Sequence, residues 1–428
     1  MTNVLIIGYF WPYHYGSKRI IGLASYLSEF GWQPIILTAP LHGKPAPRFR
    51  VIETPCRDAL RFWKTVFGFN SDENIGKQVK RRLGITRQKS LIDFFLTRLG
   101  EVINYPDSER GWIPFALKAA HQLLQEQNIG AVVSVWPITS HLIAKELRIK
   151  HKIPWLADFP DLWSQNHNYG YSPLRKLLDR RLEVKTLSRA DALVTVSEPW
   201  AEKLRVLHKG KLVYSITHGF DPAEVNMPPA ELTGKFTITY TGTIYTGKED
   251  PAKLFAALKD LIAESAINPD DIEVRFYGTG VGWLDEEIEQ YGLSNIVKHY
   301  GRVPKEKSLE KQRESQLLLL LRWEDSQERG WYSGKLLEYL GARRPILATG
   351  GSDDVISELL DETEAGICAP TAEDVKNALK EFYREYKLKG GIAFKGNISK
   401  LNKYSHREMA RKFADILDQL ILNKQRTY

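Results

Sequence analysis

The sequence predicts an α/β protein of two Rossmann-like domains, and three observations carry that prediction. The chain has 428 residues, more than one hydrophobic core usually spans and enough for two domains of about 200 residues each. Short apolar runs alternate with amphipathic stretches of helical spacing along most of it, the pattern of βα units that build a parallel sheet. That pattern starts twice, at residues 4–38 and again at FTITYTGTIYTGKEDPAKLFAAL from residue 236. Two openings in two halves argue for two sheets and not one extended sheet.

Composition narrows the partners. Hydrophobic content of 43% and mean hydropathy of −0.34 are those of a water-soluble chain. No run approaches the ~18–20 apolar residues of a membrane span, and the N-terminus enters a strand pattern with no leader signature, so a cytoplasmic location is expected. Cys56 and Cys368 lie far apart and the ten histidines form no HxH or HExxH cluster, so neither a disulfide framework nor a catalytic metal is expected. A net charge of +8 and a pI near 9.1 favour anionic partners such as nucleotides and anionic lipid headgroups. The sequence carries no RNA-binding, zinc-finger or basic-zipper pattern, which sets nucleic acid aside. Aromatic content of 11% suits sugar handling, although most rings are expected in the core.

In the first half, the strand at 4–7 runs into Gly8, a loop 9–19, a helix at 20–30 and a strand at 32–38. Ligands of parallel sheets sit at the carboxyl ends of the strands, which puts this loop at a site mouth. Gly16 and Ser17 at the next helix start suit an anion, with Lys18 and Arg19 adding charge. GxGxxG is missing, which disfavours a nicotinamide dinucleotide. Residues 57–100 mix basic, aromatic and aliphatic side chains; they read as a basic amphipathic segment for an anionic membrane surface or as a solvated helical hairpin. After a strand at 154–157, Asp158, Asp161 and Trp163 fall at its carboxyl end. Asp161 is the candidate to orient or deprotonate an acceptor hydroxyl, the alternative being a turn cap. His141, after Ser140 at a helix start, reads as a cap or packing residue. Ser172 and Pro173 begin a long helix, strands follow at 192–196 and 214–220, and the proline-rich stretch 222–235 reads as a linker.

In the second half, Gly242 allows close approach to a phosphate and Lys248 can neutralise it. Strands are expected at 273–277, before Gly278, at 297–300, and at 317–321, the last an all-leucine run suited to burial on both faces. The densest chemistry lies in RGWYSGKLLEYLGARRPILATGG from residue 329. Ser333 is a good N-cap, Gly341 with Arg343 and Arg344 ends the helix, and a strand follows at 346–348. Gly334 and Lys335 at that N-terminus suit a phosphate or diphosphate, and Glu338, one turn on, suits the two hydroxyls of a ribose. The same two residues also read as a plain surface Lys–Glu pair.

SGKLLEYLGARRPIL resembles the nucleotide-sugar signature of retaining family-four glycosyltransferases, and the DFPDLW, LSRADALVTVS and YGRVP stretches resemble that family in the same order. The resemblance implies a GT-B fold: an N-terminal acceptor domain over 1–222, a C-terminal donor domain over 223–404 facing it across a central cleft, and a helix over 405–428 returning to the first domain. It implies a retaining, metal-independent hexosyltransferase with no cofactor beyond its substrate, a nucleotide diphosphate sugar. The acceptor would be a glycan, glycolipid or lipid-linked hydroxyl, reached from the cytoplasm or the inner face of the membrane. Carried over residue by residue, it gives Asp161, Lys248, Lys335 and Glu338 as catalytic, and Gly16, Ser17, Gly242, Thr243, Gly278, Arg302, Val303 and Leu336 as donor-binding. Lys335→Ala is then expected to slow transfer at least tenfold with folding intact. Three positions depart from the family: Gly330 replaces the first Glu of E-x7-E, Thr243 follows Gly242 where an Arg is common, and Pro160 precedes Asp161. These departures leave a degenerate scaffold protein, or a nucleotide-sugar epimerase or hydrolase, as rival expectations.

Overall fold

The structure, a computed structural model, describes residues 1–9, 17–40, 49–57, 98, 100–102, 104–166, 168–225, 230–278, 282–324, 328–351 and 354–426. Gly16 and the basic segment 58–97 lie outside the described residues. The chain divides into two compact units, Met1–Ile216 with Met409–Tyr428, and Thr217–Glu408.

The first unit holds a seven-stranded sheet of β1 (Thr2–Ile7), β2 (Trp32–Thr38), β3 (Arg50–Glu53), β4 (Ile129–Val135), β5 (Trp155–Phe159), β6 (Ala192–Thr195) and β7 (Leu212–Ser215). Its order is β3-β2-β1-β4-β5-β6-β7, and every pair is parallel. Strands of such a sheet are covered on both faces; Val4 to Ile7 and Leu156 to Phe159 are accordingly buried. Within this unit the end of the last helix, His406–Arg426, buries Met409, Ala410, Phe413, Leu417 and Leu420 against Val4, Ile6 and Val133. The strand expected over 214–220 ends earlier, at Ser215, and Phe220 instead makes an isolated bridge with Ser405 in the second unit.

The second unit holds β8 (Phe236–Thr241), β9 (Ile272–Tyr277), β10 (Val297–Gly301), β11 (Leu317–Leu321), β12 (Ile346–Thr349) and β13 (Gly366–Ala369), in the order β10-β9-β8-β11-β12-β13. Five leucines make β11, and none is more than 1% exposed, so this central strand is apolar on both faces as its composition requires. Both units thus repeat the Rossmann order 3-2-1-4-5-6, in which the strand order reverses between the first and fourth strands and leaves a crevice at their carboxyl ends. In the second unit that switch point lies between the ends of β8 and β11.

Candidate functional site

The helix Gly334–Ala342 aims its N-terminus at this switch point. Ser333, with extended backbone, caps it by accepting from the Lys335 N–H at 3.3 Å, and Arg343 closes it in the left-handed conformation at φ 52°. Leu336, Leu337, Tyr339 and Leu340 form its buried face. The Tyr339 hydroxyl accepts from the Thr241 N–H at 2.9 Å, which fixes the helix against the end of β8. Leu336 was expected to touch the donor. Its side chain is fully buried and its N–H is already bonded to Ser333 O at 3.1 Å, because the apolar periodicity turns it inward.

Lys335 lies on the other face, and its ammonium gives hydrogen bonds to both carboxylate oxygens of Glu249, at 2.9 and 3.1 Å. Glu249 is fully buried, and its carboxylate also accepts from the Tyr240 hydroxyl at 2.9 Å and the Tyr245 N–H at 3.1 Å. The rings of Tyr240 and Tyr245 flank the ammonium at 4.9 and 5.3 Å. Burial lowers the Lys335 pKa, and the Glu249 charge opposes that fall. The ammonium can sit here because Gly242 has no side chain: a Cβ at Gly242 would stand 2.9 Å from Lys335 Cε, and the residue's φ of 117° suits glycine alone. Gly278 is tighter still, since a Cβ there would stand 1.8 Å from Gly242 O. Lys335, Gly242, Thr243 and Gly278 therefore meet at one place. The motifs in the sequence do not single out Glu249, because its partner Lys335 lies 86 residues away.

Glu338 borders a groove of about 200 Å³ between the helices Lys305–Arg313 and Gly334–Ala342. The buried Gln312 amide joins it to the strand end, donating to Thr241 Oγ1 at 2.9 Å and to Glu338 Oε2 at 3.4 Å. Arg302 and Val303 follow β10, the first exposed and the second half-buried. Lys248 is exposed with its ammonium 4.2 Å from the Trp323 ring centre, and Trp323 stacks on Trp331 at 4.2 Å and 13°. Lys248 also borders a cavity of about 510 Å³ with Trp283, Glu286, Glu287 and Glu324. No cluster of three metal-ligating side chains occurs among the described residues.

In the first unit, Ser17 begins the helix Ser17–Tyr26, while Gly16 lies outside the described residues. Arg19 was expected to add charge for an anion; it is instead buried in a bidentate pair with Asp158, Nε to Oδ2 at 2.6 Å and the second nitrogen to Oδ1 at 2.9 Å. Asp158 is thereby committed to Arg19, and a lone buried arginine would be costly. Asp161, two residues past β5, is exposed. His141 does not cap its helix: Asp107 does, accepting from the Thr139 N–H at 2.7 Å and from the Thr139 hydroxyl. His141 is buried, stacks on Phe159 at 4.4 Å, and shares a hydrogen bond of 2.7 Å between its Nδ1 and Ser134 Oγ, which also accepts from Trp155 Nε1.

Burial pushes the His141 pKa down from 6.5 to about 3. The unfolded chain therefore takes up a proton below about pH 6.5 that the folded chain refuses until about pH 3. Stability is full above the first value and is lost as pH falls through this window. The melting temperature should fall between pH 6.5 and pH 4 with a slope that is shallower in His141→Gln; an unchanged slope would show that His141 is not the group responsible.

Residues 17–211 match the glycosyl transferase 4-like domain family. No curated protein matches the chain by sequence. Solved structures match over nearly its whole length. Anabaena HepE, in complex with UDP and glucose, superposes with a TM-score of 0.62 at 12% identity, covering 98% of this chain and 100% of that one. The fold is GT-B. A glycosyltransferase from Rickettsia africae shares this GT-B architecture at TM-score 0.59 and 14% identity, with 98% of each chain covered. The lipopolysaccharide outer core galactosyltransferase WaaB shares it at 0.57 and 12%, covering 99% and 100%.

Proposed function

We propose that this GT-B protein is a retaining glycosyltransferase that moves a hexosyl unit from a nucleoside diphosphate sugar to a hydroxyl of a glycan, glycolipid or lipid-linked acceptor. The observation that carries the proposal is the partly buried Lys335 ammonium, held by Glu249 at a helix N-terminus and beside two glycines at the switch point. An ammonium has three donors; two are given to Glu249, and the third is offered to a diphosphate oxygen. The helix dipole adds positive potential to the same spot. Lys248 supplies the second cation, and together these groups stabilise the leaving diphosphate as its charge develops.

Glu338, one turn further on, holds the ribose, and Arg302 and Val303 frame the base. Asp161 orients or deprotonates the acceptor hydroxyl. Glycosyltransferase function is supported independently by the family match over residues 17–211 and by relatives solved with UDP and glucose. With charge neutralised by side chains and a dipole, turnover should persist in excess EDTA. Loss of turnover that added magnesium or manganese restores would remove the metal-independent reading. Retention is read from the product by NMR: the new glycosidic bond should carry the anomeric configuration of the donor, and an inverted product would reject the retaining reading.

A further inference from the structure

The helix Pro173–Leu187 of the first unit is built inside out. A surface helix ordinarily buries its apolar stripe and exposes its charges. Here Arg175, Asp179, Glu183 and Thr186, with Leu187 at the end, form the buried face, the four polar residues at 4%, 1%, 0% and 0% exposure, while Leu174, Leu177, Leu178 and Val184 are exposed at 69%, 46%, 41% and 39%. The inward charges are paired: Arg175 bonds Asp179 at 3.0 Å and donates to Glu101 O and Pro106 O, and Glu183 accepts from Ser164 N at 3.0 Å and contacts His208 at 3.3 Å. This network holds the helix rigidly in place. The outward apolar face is therefore not the by-product of a loose element.

Its charge is one-sided as well. Both carboxylates of the helix are buried, whereas Lys176, Arg180, Arg181 and Lys185 are all exposed. At 3.6 residues per turn, Arg181 and Lys185 fall within the stripe of Leu174, Leu177, Leu178 and Val184, with Arg180 beside it. An apolar stripe interleaved with cations and free of exposed acids complements an anionic bilayer, which takes the aliphatic groups below its headgroups and pairs the cations with them. No helix among the described residues is long and apolar enough to cross a membrane, so the contact is with the interface.

We propose that the outer face of Pro173–Leu187 docks this protein on an anionic lipid surface. The proposal needs no assumption about the reaction. It is tested with full-length protein by co-sedimentation with phosphatidylglycerol and phosphatidylcholine vesicles. Binding is expected to the first and not the second, and to weaken as salt rises. Leu174→Glu/Leu178→Glu should weaken it at least tenfold, and Arg181→Gln/Lys185→Gln by about fivefold or more per cation removed. All four positions are exposed, so melting temperatures should hold, as should any stabilisation by nucleotide. Wild type that ignores phosphatidylglycerol vesicles, or variants that bind as well as wild type, would overturn the proposal. So would a dimer in solution that Leu174→Glu/Leu178→Glu splits, which would give the face to a second copy of the chain.

Discussion

Lys335→Ala is expected to destabilise the second unit by about 3–5 kcal/mol as well as to slow transfer at least tenfold. The sequence alone predicts only the second effect, with folding intact. The structure changes the expectation because Glu249 is fully buried and Lys335 is its counter-charge at 2.9 Å. Removing the ammonium leaves a carboxylate in a low-dielectric site with, among the described residues, the Tyr240 hydroxyl and the Tyr245 N–H as its remaining donors. Removing both charges avoids that penalty, so Lys335→Met/Glu249→Gln should recover most of the lost stability and none of the activity. Thermal melts paired with single-turnover rates separate the two effects. A double variant that regains turnover would show that Lys335 is a structural lysine.

Glu249→Gln alone probes how the ammonium is kept charged. Desolvation lowers the Lys335 pKa and the carboxylate raises it, so removing the carboxylate leaves only the smaller effect of the Glu338 charge to oppose desolvation. The lysine then loses its proton at lower pH, and the alkaline limb of kcat/KM should move to lower pH than in wild type. An unmoved limb would mean that Lys335 is not the group titrating there.

Gly278→Ala is the second large effect. The new methyl would stand 1.8 Å from Gly242 O, a backbone atom with no rotamer to relieve the clash. The ends of β8 and β9 must separate, straining the Gly242 N to Tyr277 O bond at 2.7 Å and the Gly278 N to Gly301 O bond at 2.9 Å. A cost at or above the upper end of ~1–3 kcal/mol is expected. Because Gly242 frames the Lys335 side chain, nucleotide affinity should fall with it. Gly282→Ala is the matched control, since nothing lies within 4 Å of its added Cβ, and it should change stability by no more than about 0.5 kcal/mol. Equal melting temperatures for the two variants would contradict the close packing of the strand ends.

Much of the fold was legible because its signals are local. The run 32–38 and the leucine run 317–321 coincide with β2 and β11, since an apolar stretch of strand length has one way to be buried in a parallel sheet. The helix Gly334–Ala342 announced itself through its Ser333 cap, but it runs through Gly341, expected to end it, and closes at Arg343 instead. What stayed hidden depends on partners far away in the chain. Glu249 is 86 residues from Lys335, Arg19 is 139 from Asp158, and Asp107 is 32 from the helix start it caps. None of these leaves a spacing in the sequence, and for Leu336 the family motif concealed the ordinary rule that the apolar face of a helix turns inward.

On the proposed function, the second unit binds a nucleoside diphosphate through the helix Gly334–Ala342. The most direct measurement is thermal unfolding of the purified protein with millimolar UDP, GDP, ADP or dTDP, since ligand at ~100 times its Kd adds about 2.7 kcal/mol to stability. A shift with one of the four that is lost in Glu338→Ala is the predicted result, and it names the base of the donor. No shift with any of them would contradict the claim and leave Lys335 and Glu249 as a structural pair.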